Sequence, residues 1–116
     1  MREILFRGKR VDRGEWIEGN YEYYHKPRKY IISNPYTGET KGVIPETVGQ
    51  FTGLCDKNGK KIFEGDIVES PQGTRGFIEW QNAECAFLVN IGDDWQTMDD
   101  CTYEVVGNIY DKGEEE

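Results

Sequence analysis

The sequence has little of what catalysis and metal binding usually require. It contains one histidine, His25, and three widely spaced cysteines, Cys55, Cys85 and Cys101, with no Cys-x-x-Cys pair. A structural zinc site needs more closely spaced ligands, so we expect no bound metal. Neither a Gly-x-Ser-x-Gly elbow nor a Gly-x-x-x-x-Gly-Lys phosphate loop is present. We therefore expect no catalytic residues, no cofactor and no enzymatic activity.

Long apolar runs are also missing. No stretch approaches the roughly 20 apolar residues of a membrane span, and residues 1–7 lack the apolar middle of a signal peptide. An odd number of cysteines without an export signal is typical of reduced thiols inside the cell. We expect a water-soluble cytoplasmic protein that has no membrane partner.

Positive charge is scarce after residue 30. Residues 1–30 hold eight Lys and Arg against five Asp and Glu, whereas the remainder holds six against seventeen, giving a net charge of −8. So negative a body repels phosphate backbones, which argues against nucleic-acid binding by the whole surface. Only the N-terminal part offers a basic face. The acidic cluster at Asp93, Asp94, Asp99 and Asp100 is typical of solvated turns rather than of a cation site.

Short alternating segments separated by turn residues predict a β protein. Tight turns are predicted at 11–14, 34–38 and 56–59, where Gly or Asn follows polar residues. The polar segment 39–42 is predicted to be a mobile excursion, and single helical turns are predicted at 45–50 and 99–101. Strands are predicted over 4–7, 16–24, 29–33, 66–70, 75–80, 86–91, 95–98 and 103–110.

Five short strands with a helical turn before the last are the layout of a small SH3-like barrel. We therefore predict a mainly β fold, in which an N-terminal antiparallel β-meander packs on a C-terminal SH3-like partial β-barrel, with one or two short helical turns. The 116 residues are expected to form one domain. Within it we predict a meander at 1–44, a connecting turn region at 45–65, a barrel at 66–111 and a frayed tail at 112–116.

Three ordered blocks resemble the YopX family of phage and prophage proteins. They are ILFRGKR with GEWI at 4–10 and 14–17, PETVGQFTGL with DKNGKKIFEGDIV at 45–54 and 56–68, and VGNIY at 106–110. Cys55, inside the central block, departs from the charged or polar residue that the family pattern leads us to expect. The resemblance implies a β-rich fold, a mobile-element origin and a bacterial host cell, and it brings no catalytic residues to this sequence.

Aromatic residues concentrate on two neighbouring predicted strands of the basic part of the chain. Cross-strand packing explains them, and stacking on the bases of a single-stranded nucleic acid would use the same residue types. Aromatic rings with polar edges are also common at protein interfaces. The predicted interaction surface consists of Arg7, Lys9, Arg10, Trp16, Tyr21, Tyr24, Arg28, Lys29 and Tyr30.

Two functions remain open on this pattern. The first is a non-enzymatic phage or prophage accessory protein that acts through protein contacts, by self-association or with an unknown protein partner, because an N-terminal meander leaves strand edges open to pairing. The alternative is a module that binds single-stranded nucleic acid through the basic, aromatic N-terminal part. Its cations would be Arg7, Lys9, Arg10, Lys26, Arg28 and Lys29.

Overall fold

The structure is a computed structural model that describes residues 4–26, 28–92 and 94–111. The chain forms two compact units, Met1–Phe51 and Thr52–Glu116. Their boundary falls inside the predicted connecting region 45–65. The predicted tail at 112–116 and the Asp93 member of the acidic cluster lie outside the described residues.

The described residues form two antiparallel sheets and one short 3-10 helix, so the predicted mainly β fold is confirmed. The strand order is β4-β3-β2-β1-β5-β6 in one sheet and β10-β9-β8-β7-β11 in the other. The SH3-like arrangement stays a prediction. The strands are β1 (Phe6–Lys9), β2 (Trp16–His25), β3 (Arg28–Ser33), β4 (Thr40–Gly42), β5 (Gly49–Cys55), β6 (Lys61–Phe63), β7 (Asp66–Glu69), β8 (Arg75–Gln81), β9 (Ala86–Asn90), β10 (Trp95–Gln96) and β11 (Glu104–Asn108).

The first unit is built around the alternation of β2. Ile17 and Gly19 are buried while Glu18 and Asn20 are exposed, as expected of a strand with one face toward a core. Gly19 is required because β2 and β3 approach closely, and a Cβ atom there would overlap the backbone carbonyl of Ser33. The core consists of Ile17, Ile32 and Val43, with Phe6, Tyr21, Tyr30 and Val48 packed against it.

The meander of the first unit closes on itself at residues 42–44. Val43 donates its N–H to the carbonyl of Tyr30 in β3, and it also forms a bridge with Arg10 on its other side. Val11 N–H donates to the carbonyl of Gly42 at 3.0 Å, so the chain beyond β4 has hydrogen-bonded neighbours on both sides. The strand edge that suggested self-association is therefore covered at this point.

The second unit packs its strands β6 to β9 and Tyr103 around one apolar core. Its buried members are Ile62, Val68, Ile78, Val89 and Tyr103, with Phe87, Ile91, Met98 and Val105 partly buried against them. All five predicted strands from residue 66 onward are present, and the turns at 56–59 and 64–66 have Gly59 and Gly65 at positive φ. Among the described residues of the chain, no helix is long and apolar enough to cross a membrane.

Three predictions about local structure were wrong. The supposed mobile excursion at 39–42 contains β4, which pairs with β3. No strand was predicted over 49–55 or 61–63, where β5 and β6 form. Residues 99–101 form no helix, whereas the single helical turn predicted at 45–50 is confirmed as a 3-10 turn at Pro45–Thr47. Glycine-rich segments such as β5 become strands through pairing with distant partners, which local propensity does not reveal.

Candidate binding groove

A groove of about 750 Å³ opens on the first unit between the β2–β3 hairpin and the chain around β4. Ile31 and Val43 are among the apolar residues that line it. The lining also includes two tyrosines and four positively charged side chains. We call it the cationic groove and define it by Tyr24, Lys26, Arg28, Lys29, Tyr30 and Lys41.

The β2–β3 hairpin and the pairing of β4 bring these side chains together. Tyr24 lies opposite Lys29, and Tyr23 lies opposite Tyr30, in the register of β2 and β3. On the other side of β3, Ile32 lies opposite Lys41. Residues that are distant in sequence therefore meet at one end of a three-stranded ladder.

The groove is electrostatically uncompensated within the part of the chain that the structure describes. None of its lining residues is acidic. No ion pair joins Lys26, Arg28, Lys29 or Lys41 to another described residue, although carboxylates elsewhere in the first unit are paired. Four positive charges around one concave surface raise the local concentration of anions. The groove is therefore suited to an anionic partner.

Arg10 belongs to a different cluster. Its guanidinium is buried and donates to both carboxylate oxygens of Asp12, at 3.0 and 2.9 Å, with Glu15 and Glu39 at 3.4 and 3.5 Å. The hydrogen bond to Asp12 is the main cause of a raised pKa of Arg10, and it lowers the pKa of Asp12. Three carboxylates thus neutralise the charge of Arg10, which holds two hairpins together.

Arg7, Lys9 and Trp16 form a second, separate patch on β1 and β2. The Arg7 Cζ atom lies 4.6 Å from the Trp16 ring centroid, and the Lys9 Nζ atom lies 5.7 Å from it. These are cation–π distances, and Arg7 is itself buried. Of the predicted interaction surface, the groove therefore gathers Tyr24, Arg28, Lys29 and Tyr30, while Arg7, Lys9, Arg10 and Trp16 lie outside its lining.

The tyrosines of the predicted surface differ in how much of each ring is accessible. Tyr23 stacks on Tyr30 with centroids 4.6 Å apart, and Tyr21 packs against the core, where burial raises its pKa. Tyr24 is 47% exposed. Its hydroxyl donates to Glu22 at 2.9 Å, and this hydrogen bond raises the pKa of Tyr24. Tyr24 is therefore the aromatic residue of the groove that is best placed to meet a partner.

Lys41 was not among the predicted surface residues, because residues 39–42 were predicted to be a mobile excursion. A usable signal was present: the predicted turn at 34–38 is followed by β-branched Val43 and Ile44, a pattern that indicates a returning strand. His25, the one candidate for histidine chemistry, packs against the Tyr23 ring with centroids 4.6 Å apart. No group of three or more His, Cys, Asp or Glu residues in the described part of the chain is arranged to hold a metal ion.

A buried carboxylate, Asp56, organises the second unit and is structural. It is 1% exposed, and its oxygens accept hydrogen bonds from the backbone N–H groups of Asn58, Lys60 and Val105, at 2.9, 2.9 and 3.0 Å. Burial opposes ionisation of Asp56, but these donors outweigh it and keep its pKa below the ordinary value. The sequence indicated only a turn at this position, because the donor from Val105 comes from a distant strand.

The two β units and the groove define a small antiparallel β protein with a concave cationic surface. A family model described as YopX protein matches residues 5–114, nearly the whole chain. The chain therefore belongs to the YopX family, as the three sequence blocks indicated. A search of curated proteins finds no match to it.

Proposed function

We propose that this protein is a non-enzymatic accessory protein of phage or prophage origin. In this proposal it works in the cytoplasm of a bacterial host through contacts of the cationic groove with an acidic protein surface. The observation that carries the proposal is the set of four groove cations without counter-ions among the described residues. Such a set gains free energy when an acidic partner supplies the missing charge.

A second copy of the chain offers an acidic surface of this kind. The first unit carries nine Lys and Arg against seven Asp and Glu, and the second carries five against fifteen. Asp94, Asp99 and Asp100 of the second unit are exposed. Opposite charge on two parts of one molecule favours a head-to-tail contact between copies. Because residues 42–44 have hydrogen-bonded neighbours on both sides, the contact relies on side chains rather than on pairing at this strand.

Light scattering and sedimentation at low and high salt test the proposal. Charge-driven contacts act over about 30 Å at 0.01 M salt and about 3 Å at 1 M. We expect self-association at low salt that Arg28→Ala and Lys29→Ala each weaken. Arg13→Ala is the matched control, because Arg13 is an exposed arginine of the same unit outside the groove lining. A monomer at every concentration and salt would contradict self-association, and equal effects of Arg28→Ala and Arg13→Ala would exclude the groove.

Single-stranded nucleic acid is the second candidate partner, and the position of Tyr24 favours it. An exposed ring beside several cations is how sequence-tolerant single-strand binders combine stacking with phosphate contacts. Fluorescence anisotropy with single-stranded DNA and RNA measures this directly. We expect Tyr24→Ala to weaken binding by roughly ten-fold, about one stacked base.

Tyr36→Ala is the control for this experiment, since Tyr36 is 93% exposed in the turn before β4 and does not line the groove. Its binding should equal that of the unmodified chain. If neither nucleic acid shows salt-sensitive binding at micromolar protein, the second candidate is removed and the protein partner remains.

A further inference from the structure

Two of the three cysteines meet in the second unit. Cys55 ends β5, and Cys101 lies in the turn that precedes β11. The Cys101 N–H donates to the Cys55 carbonyl oxygen at 2.9 Å. A single N–H···O hydrogen bond of this length places the two Cα atoms roughly 5–6.5 Å apart. A disulfide requires a Cα separation of about 4.4–6.8 Å, so the backbones of this pair are within range.

The surroundings of the pair leave it open to a small oxidant. Cys101 is exposed and Cys55 is half-buried, and both are free thiols. Cys101 has φ of +63°, in the left-handed region that residues with a side chain seldom adopt. Asp100 joins the cluster, because the Cys55 N–H donates to its Oδ1 atom at 3.0 Å. The turn is therefore fixed by backbone contacts that hold the two cysteines side by side.

We propose that Cys55 and Cys101 form a redox modification site, at which a peroxide converts the two thiols into an intramolecular disulfide. The Cys101 sulfur attacks a peroxide oxygen, the O–O bond breaks, and sulfenic acid and one water form. The Cys55 sulfur then displaces the hydroxyl group from the Cys101 sulfur, and a second water leaves. Two thiols and one hydrogen peroxide thus give one disulfide and two waters.

Asp100 slows this reaction. Its negative charge is the main cause of a raised pKa of Cys101, with burial, Cys55 and Asp56 acting in the same direction. The thiolate is the reactive form, so this carboxylate keeps Cys101 slow to oxidise at neutral pH. Disulfides that form in a reducing cytoplasm are usually transient and catalytic or redox-sensing. The bond would tie the end of β5 to the segment leading into β11.

Oxidation of the full chain with hydrogen peroxide, followed by thiol titration and non-reducing peptide mass spectrometry, tests the site. We expect a monomer in which a Cys55–Cys101 peptide pair has lost two hydrogens. Cys85 is the matched control, since it is also exposed and has positive φ, at +52°. Cys85→Ser should form the bond and Cys101→Ser should not. Retention of the Cys55 and Cys101 thiols, or cross-linking mainly through Cys85, would overturn the proposal.

Two further measurements separate a redox role from simple proximity. Asp100→Asn keeps an oxygen acceptor for the Cys55 N–H and removes the charge, so the oxidation rate should rise several-fold, whereas Asp99→Asn should leave it unchanged. The disulfide should also raise the melting temperature by roughly 5 °C or more, with no shift in Cys101→Ser. An unchanged rate in Asp100→Asn would contradict the role given to Asp100, and a melting temperature that falls on oxidation would contradict a bond compatible with the fold.

Discussion

The two units bury charge in different ways. In the first, the buried guanidinium of Arg10 is neutralised by the side chains of Asp12, Glu15 and Glu39, which are themselves 45–59% exposed. In the second, the carboxylate of Asp56 is held by backbone N–H groups. Side-chain partners reach into water and are screened by salt, whereas backbone donors are fixed by the fold. The first unit should therefore respond to salt more strongly than the second.

The largest expected loss of stability follows from removing the Asp56 carboxylate. Asp56→Ala leaves three backbone N–H groups without their acceptor, and we expect it to lower the free energy of unfolding by about 3–5 kcal/mol. Urea denaturation followed by tryptophan fluorescence measures the change. Asp12→Ala, in the first unit, removes only one of three exposed partners of Arg10 and should cost much less. Equal costs for the two variants would break the contrast between the units.

The second-largest loss of stability is expected where two strands approach closely. The loss should be similar in the two units. A Cβ atom at Gly19 in β2 would overlap the carbonyl of Ser33, and one at Gly76 in β8 would overlap the carbonyl of Asn90. Gly19→Ala and Gly76→Ala should each lower the free energy of unfolding by about 1–3 kcal/mol. Gly107→Ala is the control, because a Cβ atom there meets nothing within 4 Å. A cost for Gly107→Ala as large as the other two would show that strand approach is not the cause.

Acid should lower the stability of the protein in part through Asp56. Its pKa in the folded protein lies below the ordinary value of 3.8, so its stabilising contribution is present above that value and is lost as the pH falls through the folded pKa. Urea midpoints should therefore fall below about pH 4, and Asp56→Asn should flatten this dependence. Asp99→Asn serves as the control and should keep the steep fall. An unchanged pH profile in Asp56→Asn would rule out Asp56 as the titrating group.

The smallest expected effect is the salt dependence of the stability that Arg10 gives to the first unit. Arg10→Ala should lower the urea midpoint at low ionic strength, and the difference from the unmodified chain should shrink at about 1 M sodium chloride, where ion pairs are screened. Arg13→Ala should change little at either salt, since the contact of Arg13 with Glu15 is exposed and 3.9 Å long. The deficit of Asp56→Ala should persist in salt. If Asp56→Ala were rescued as fully as Arg10→Ala, the two modes of charge burial would not differ.

Local patterns in the sequence predicted much of this fold. The alternation of β2 and the turns at 11–14 and 56–59 depend on neighbouring residues, so they were readable without a structure. β4 and β5 could not be predicted in this way. Short and glycine-rich segments such as TKG and GQFTGLC have little strand propensity of their own. They become strands through partners in β3 and β1.

The candidate site shows the same division between local and distant information. Tyr24, Arg28, Lys29 and Tyr30 come from one predicted hairpin, and the structure places them in one groove. Arg10 had the appearance of a surface cation, yet one of its partners, Glu39, lies on another hairpin. Asp56 was recognised as a turn residue, but its bond to Val105 joins positions that nothing in the sequence connects.

The closure of the meander at residues 42–44 has a consequence for behaviour at high concentration. Fibrils grow when a chain presents bare amide and carbonyl groups that a neighbour can extend indefinitely. Here the Val43 amide and the Gly42 carbonyl are already occupied within the molecule. Residues 42–44 therefore offer these two groups to no neighbouring molecule, and fibril growth cannot begin from them.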